Sequence, residues 1–342
     1  MPELFGAISN ENVYFLFSWN LDALKNDRRG RSWGLAFYRD GYWSLIKEPR
    51  KLHESTLLSI GENKSIYGSA IISHLRLATR GLPCIVNTHP FIRFLGIYER
   101  GLATYWREWA FAHKGNITPM FSSDEMPSNE LYLIGETDSE YAFAILMKVL
   151  SKEPSCLLNP LETKEILEEI SQKMSKYGDL DYILSDGKSL FVYTNTGRIR
   201  YAIRYPHIPV RSDIEGKFMR IRIEDTSPET RMILVAMDAK SEDEWRELKN
   251  DVVHVFHEGD ILSYETLNEV ERDILEFLIQ IEYRVPIRNI KEQFGEECIP
   301  NLMNLIYSDW IILKEKVSPK GLSDKTLITI NRKRKKFIKK ST

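Results

Sequence analysis

Through most of the chain, apolar residues gather in short β-branched or aromatic stretches bounded by Gly, Asn or Asp, the pattern of strands. Such runs are Leu4–Ser9, Val13–Trp19, Ser32–Tyr38, Ser69–His74, Tyr182–Ser185, Leu190–Thr194, Lys217–Ile223 and Met232–Ala236. Between them, Leu52–Ile60, Thr137–Leu150 and Pro160–Lys176 carry apolar residues three and four apart, which predicts amphipathic helices. Many antiparallel strands with two main helical layers predict an α+β protein built as a four-layer α/β/β/α sandwich. After Ser263 the rhythm changes. An apolar stripe from Leu267 to Ile281 predicts a helix, Pro286 opens a second that Gly295 closes, and Ile299–Tyr307 forms a third. Two strands, Trp310–Lys316 and Thr326–Asn331, then flank a turn containing Pro319, Lys320 and Gly321, so this part resembles a winged-helix domain. The expected units are residues 1–262, 263–331 and a tail, 332–342.

Composition narrows the class. With 342 residues and 43% hydrophobic content, two cored domains are affordable. No uninterrupted apolar run reaches the ~18 residues of a membrane-spanning helix, and the first twenty residues lack a basic leader before an apolar stretch, which argues against a signal peptide. Three scattered cysteines, Cys84, Cys156 and Cys298, point to a reducing cytoplasm and away from a disulfide framework or zinc site. The net charge is −2, yet from Leu313 to Thr342 eleven Lys and Arg stand against Glu315 and Asp324, or +9. Arg332–Lys336 and Lys339–Lys340 predict a solvated, disordered basic tail. That tail suits weak, sequence-independent phosphate contact. The third helix of the C-terminal unit has no Lys or Arg to read bases, so protein docking or dimerisation is the expected role of 263–331.

Four segments carry candidate chemistry: Ser73–Gly81 (SHLRLATRG), Asn87–Phe91 (NTHPF), Phe111–Ile117 (FAHKGNI) and Gly135–Glu140 (GETDSE). In this order and spacing they resemble the class II, N-terminal-nucleophile glutamine amidotransferases, and among these the small stand-alone type. The strand Trp33–Tyr38, the sequence Leu184–Gly187, and Glu244–Trp245 ahead of Gly259–Asp260 extend the resemblance over residues 1–262. It implies the four-layer fold of that hydrolase class. It also implies that Arg76 grips the α-carboxylate of glutamine, that Asp138 takes the α-ammonium, and that Thr79 lines the pocket. His74, His89 and His113 are then structural hydrogen-bonding residues; they sit in separate segments without the spacing of a metal site.

Two positions depart from the family. Where the relatives keep a cysteine whose thiol attacks and whose own amine takes the proton, this chain has Pro2, which has no nucleophilic side-chain atom. With Met1 removed, Pro2 would expose a secondary amine able to act as a base. The family's oxyanion pair, an Asn amide and a Gly backbone N–H, here reads Lys114-Gly115; losing one such donor costs about 100–1,000-fold in rate. Cys84 has neither a free amine nor a matched base to replace the nucleophile. No cofactor motif is present, and the 80 residues after 262 are too few for a synthase domain that would use released ammonia. The expected function is an amidotransferase-like pseudoenzyme that holds glutamine or a related amino acid as sensor, scaffold or subunit. The alternative is an active amidohydrolase working through a processed Pro2 or a partner's group.

Overall fold

The computed structural model describes residues 4–19, 32–51, 54–55, 65–76, 82–99, 102–123, 131–153, 157–208, 212–216, 219–281, 284–314 and 323–341. Strands β1 (Leu4–Trp19), β2 (Ser32–Arg39), β3 (Tyr42–Glu48), β4 (Ser65–Arg76), β5 (Phe91–Glu99) and β6 (Leu102–Asn116) lead into helices α1 (Asp138–Lys152) and α2 (Pro160–Met174). Then come β7 (Asp179–Ser185), β8 (Ser189–Thr194), β9 (Ile199–Arg204), β10 (Ile214–Glu215), β11 (Met219–Glu224), β12 (Met232–Met237), β13 (Arg246–Glu247), β14 (Val253–His257) and β15 (Asp260–Ile261).

These strands make two antiparallel sheets. One runs β13-β9-β12-β1-β4-β2-β3, with β11 also paired to β1 and β10 to β11; the other runs β15-β14-β8-β7-β6-β5. Their inner faces close on one apolar layer containing Leu4, Ile8, Ala70, Ile72, Ala110, Ala112, Ile183 and Val192. Helices α1 and α2 cover the outer face of the second sheet, burying Trp109, Phe111, Tyr182 and Tyr193 against Phe143, Leu146 and Leu167. The outer face of the first sheet is also apolar and buried, through Phe5, Phe15, Trp33 and Ile71. The layer of α1 and α2 and the two sheets are three of the four expected layers; the helix expected at Leu52–Ile60 falls almost wholly outside the described residues.

The expected strands at Leu4–Ser9 and Val13–Trp19 are one strand, β1, whose register against β4 shifts between Ile8 and Val13. Strands β3, β5, β6, β9 and β14 had no counterpart in the sequence reading. For β3 the turn was legible: Asp40 and Gly41 both take left-handed backbone (φ 54° and 93°), the Asp-Gly signature of a tight hairpin.

The C-terminal elements are α3 (Glu269–Ile281), β16 (Val285–Pro286), α4 (Ile287–Phe294), α5 (Ile299–Tyr307), β17 (Ile311–Leu313) and β18 (Leu327–Ile330), with the three strands in one small sheet. The turn expected at 319–321 lies outside the described residues. This unit shares its core with the sheets. Trp310 Nε1 donates to the Ile261 carbonyl (3.0 Å), Tyr205 and Ser308 share a hydroxyl hydrogen bond (2.7 Å), and Arg246 pairs with the fully buried Glu271 (3.1 Å). The expectation of a disordered tail is corrected: Arg332–Ser341 is a helix, α6. Its start is capped by the Asn331 side chain, which accepts from Lys333 N–H, while Arg334 donates to the Ser308 carbonyl and lies over the Trp310 ring, and Ile338 is buried. Charge along the sequence concealed these inward contacts.

Candidate functional site

The inward side chains of β4 change character along the strand. Ala70 and Ile72 belong to the core between the sheets, and the next two at the same period are His74 and Arg76, both buried. On β6, which faces β4 across that layer, Ala110 and Ala112 point inward, so by the same alternation Lys114 shares the inner face with His74 and Arg76. His113 points the other way, into the helical layer. Its Nδ1 meets Ser139 Oγ at 2.9 Å, and its Nε2 lies 3.3 Å from the Asp179 carbonyl.

Asp138 is the first residue of α1, where the positive end of the helix favours a carboxylate. Thr137 caps the helix by accepting from Glu140 N–H (3.1 Å). The two oxygens of Asp138 accept from Ile117 N–H (2.9 Å) and Ser139 N–H (3.0 Å), which fixes the group at the end of β6. Glu140 has the spacing of a capping box with Thr137 but reaches further back, accepting from Ile134 N–H (2.9 Å), Gly135 N–H (2.6 Å) and Arg93 (3.3 Å). Asn87 joins the neighbouring turn to this loop by accepting from Glu136 N–H (2.9 Å). Ser139, Glu140 and Asn87 lay inside the segments singled out from sequence, yet their roles depend on contacts across the chain that no spacing shows.

The histidines are electrostatically silent. Burial holds His74 well below the usual imidazole range, helped by the positive charge of Lys114 and by Arg76. Burial does the same to His89, with His74, His113, Arg76 and Lys47 adding to it. His113 is also lowered by burial, against the opposing pull of Asp138 and the Asp179 carbonyl. The rings of His74 and His89 pack 4.3 Å apart. Among the described residues no group of three or more His, Cys, Asp or Glu side chains is placed to hold a metal ion.

Arg76, Lys114, Gly115 and Asp138 thus gather at one end of the sandwich, linked through His74 and His113. Pro2 and Thr79 lie outside the described residues. Strand β1 begins at Leu4, opposite His74, so position 2 is two residues upstream of that pair. At Gly115 a side chain is excluded by the neighbouring strand: a Cβ would stand 1.9 Å from the Asp179 carbonyl oxygen. Cys84 is half-buried on the turn before Asn87, near Lys47. Arg76 on β4 and Lys114 on β6 thus stand on facing inner surfaces of the two sheets, with the Asp138 carboxylate at the start of α1 beside the end of β6.

The profile of the class II glutamine amidotransferases matches residues 1–276. An uncharacterised protein of Methanocaldococcus jannaschii is 31% identical over 85% of this chain and 79% of its own length. The Escherichia coli protein YafJ, whose name assigns it provisionally to the glutamine amidotransferases, is 27% identical over 57% of this chain and 74% of its own. Among solved structures, a predicted glutamine amidotransferase from Pseudomonas aeruginosa PA01 shares the fold, with TM-score 0.59 and 24% identity, over 76% of this chain and 99% of its own.

Proposed function

The chain belongs to the class II glutamine amidotransferases, and on that premise we propose that it binds glutamine or a related α-amino acid while having lost most or all glutaminase chemistry. The observation that carries this reading is the split within one site. The binding side keeps a buried Arg76 and a backbone-anchored Asp138. The catalytic side has Pro2 where the nucleophile belongs and Lys114 where an amide donor belongs. Arg76 takes the α-carboxylate by its planar guanidinium and Asp138 takes the α-ammonium, while Thr79 is a binding residue on the family resemblance alone. Lys114 adds charge beside His74 and replaces a neutral oxyanion donor by a flexible cation. Such a protein works as a sensor, scaffold or subunit in the reducing cytoplasm suggested by its few cysteines.

The order helix, strand, helix, helix, strand, strand from α3 to β18 supports a winged-helix-like unit. Its third helix, α5, has no Lys or Arg, which favours a protein partner over base reading; the basic α6 leaves weak phosphate contact as a minor role. The competing reading, an active amidohydrolase using a processed Pro2 amine or a partner's group, makes the same binding site but adds turnover.

A thermal-shift series against α-amino acids tests the pocket. A ligand at 100 times its dissociation constant adds about 2.7 kcal/mol to stability, and Arg76→Ala removes that shift. No shift with any α-amino acid would reduce Arg76 and Asp138 to structural residues.

A further inference from the structure

Across the first sheet, four residues stand in one register row on the inner face: Leu4 opposite His74, His74 opposite Gly34, and Gly34 opposite Lys47. The gap left by Gly34 between His74 and Lys47 is filled by main chain from the other sheet. A Cβ at Gly34 would stand 2.1 Å from the His89 carbonyl oxygen, so only glycine lets the turn 88–90 lie there. Lys47 then reaches over this turn. Its Nζ donates to the Thr88 carbonyl (3.0 Å) and the Pro90 carbonyl (3.4 Å), the two carbonyls flanking His89, and lies 5.6 Å from the Phe91 ring centre.

The His89 ring is positioned entirely by this backbone seat and by packing. It is buried against His74 (4.3 Å between ring centres) and Phe91 (4.5 Å), and neither ring nitrogen has a hydrogen-bond partner among the described residues. Burial without polar anchoring gives an imidazole no preferred place of its own. The ammonium on the two flanking carbonyls supplies what the ring does not. Burial of the half-buried Lys47 disfavours its charged form, and the Glu140 carboxylate, itself held by two backbone N–H groups and Arg93, opposes that effect.

We propose that the Gly34–Lys47 pair is a purpose-shaped seat for the turn 88–90, and that Lys47 is the positioning residue that holds His89 against His74 at the inner end of the amino-acid pocket. The seat joins β3 of one sheet to the lead-in of β5 of the other. It sets the distance between the sheets where Arg76 and Lys114 face each other. Its importance for ligand binding rests on the amino-acid reading above; the seat itself does not.

The test is histidine footprinting of the full-length protein with diethyl pyrocarbonate, which modifies accessible neutral imidazoles, read per residue by peptide mass. His254 is the internal control, because it is fully buried elsewhere in the core with both nitrogens bonded, to Thr266 and to the Lys249 carbonyl. Lys47→Met is expected to raise His89 modification about tenfold, as when a charge-assisted hydrogen bond that closes a local opening is lost, with His254 unchanged. Lys47→Arg, which keeps the donor, is expected to protect His89 as the native chain does. Protection of His89 unchanged in Lys47→Met overturns the proposal, and so does equal exposure of His89 and His254, which would mean general loosening. The same variants are carried through the amino-acid thermal-shift series, where Lys47→Met weakens the response and Lys47→Arg restores it. If the native protein responds to no amino acid while Lys47→Met still exposes His89, the ligand reading falls and the seat stands.

Discussion

Arg76 and Asp138 are held by different means, the first by burial at the end of β4 and the second by two backbone N–H donors at the start of α1. Gly115 is held by neither; it is a glycine because the Asp179 carbonyl occupies the place of its side chain. Gly115→Ala is therefore expected to cost about 1–3 kcal/mol by overpacking, read as a lower denaturant midpoint with unchanged slope. A cost near zero would show that β6 and β7 part easily here. The contrast marks what sequence makes legible. Arg76, Asp138, Lys114 and Gly115 were all singled out as candidates from motifs, because each segment is contiguous. The reason for Gly115, the partnership of His113 with Ser139, and the part played by Lys47 were not, because each depends on two strands or loops that meet only in the fold.

Helices α1, α2 and α5 were placed closely from the sequence, since a helix is a local object. Strands fared less evenly. In β5 and β6, aromatic and aliphatic residues are interleaved with Arg93, Arg107 and Glu108, and their pairing with each other decides their extent more than composition does. The opposite error fell on α6, where seven cations in Arg332–Ser341 suggested disorder while Asn331, Trp310 and Ser308 supply a docking surface. Truncation after Asn331 removes the buried Ile338, so stability is expected to drop by about 2 kcal/mol or more, measured by urea unfolding against the full chain. An unchanged midpoint would show that α6 contributes nothing to the fold.

At the scale of the molecule, the C-terminal unit and the sheets share one core, and buried neutral histidines are spread through it. His254 is held at about 4 against an ordinary 6.5, and His74, His89 and His113 are lowered as well, all chiefly by burial. The unfolded chain accepts protons that the folded chain refuses as pH falls below 6.5. The stability these groups contribute is thus complete above about pH 6.5 and is lost towards pH 4, each fully titrating group steepening the loss by about 1.4 kcal/mol per pH unit. Asp260, pushed up to about 6 by burial, acts in the opposite sense, but one carboxylate stands against four histidines. Urea midpoints should fall steadily from pH 7 to pH 5, and a flat profile would contradict the burial of the rings. The claim that the pocket holds an amino acid without cutting it is tested most directly by ammonia release from L-glutamine. The native chain is expected to stay at background, with Pro2→Cys combined with Lys114→Asn the variant expected to gain turnover. Ammonia released by the native chain, and abolished by Arg76→Ala, would contradict the account.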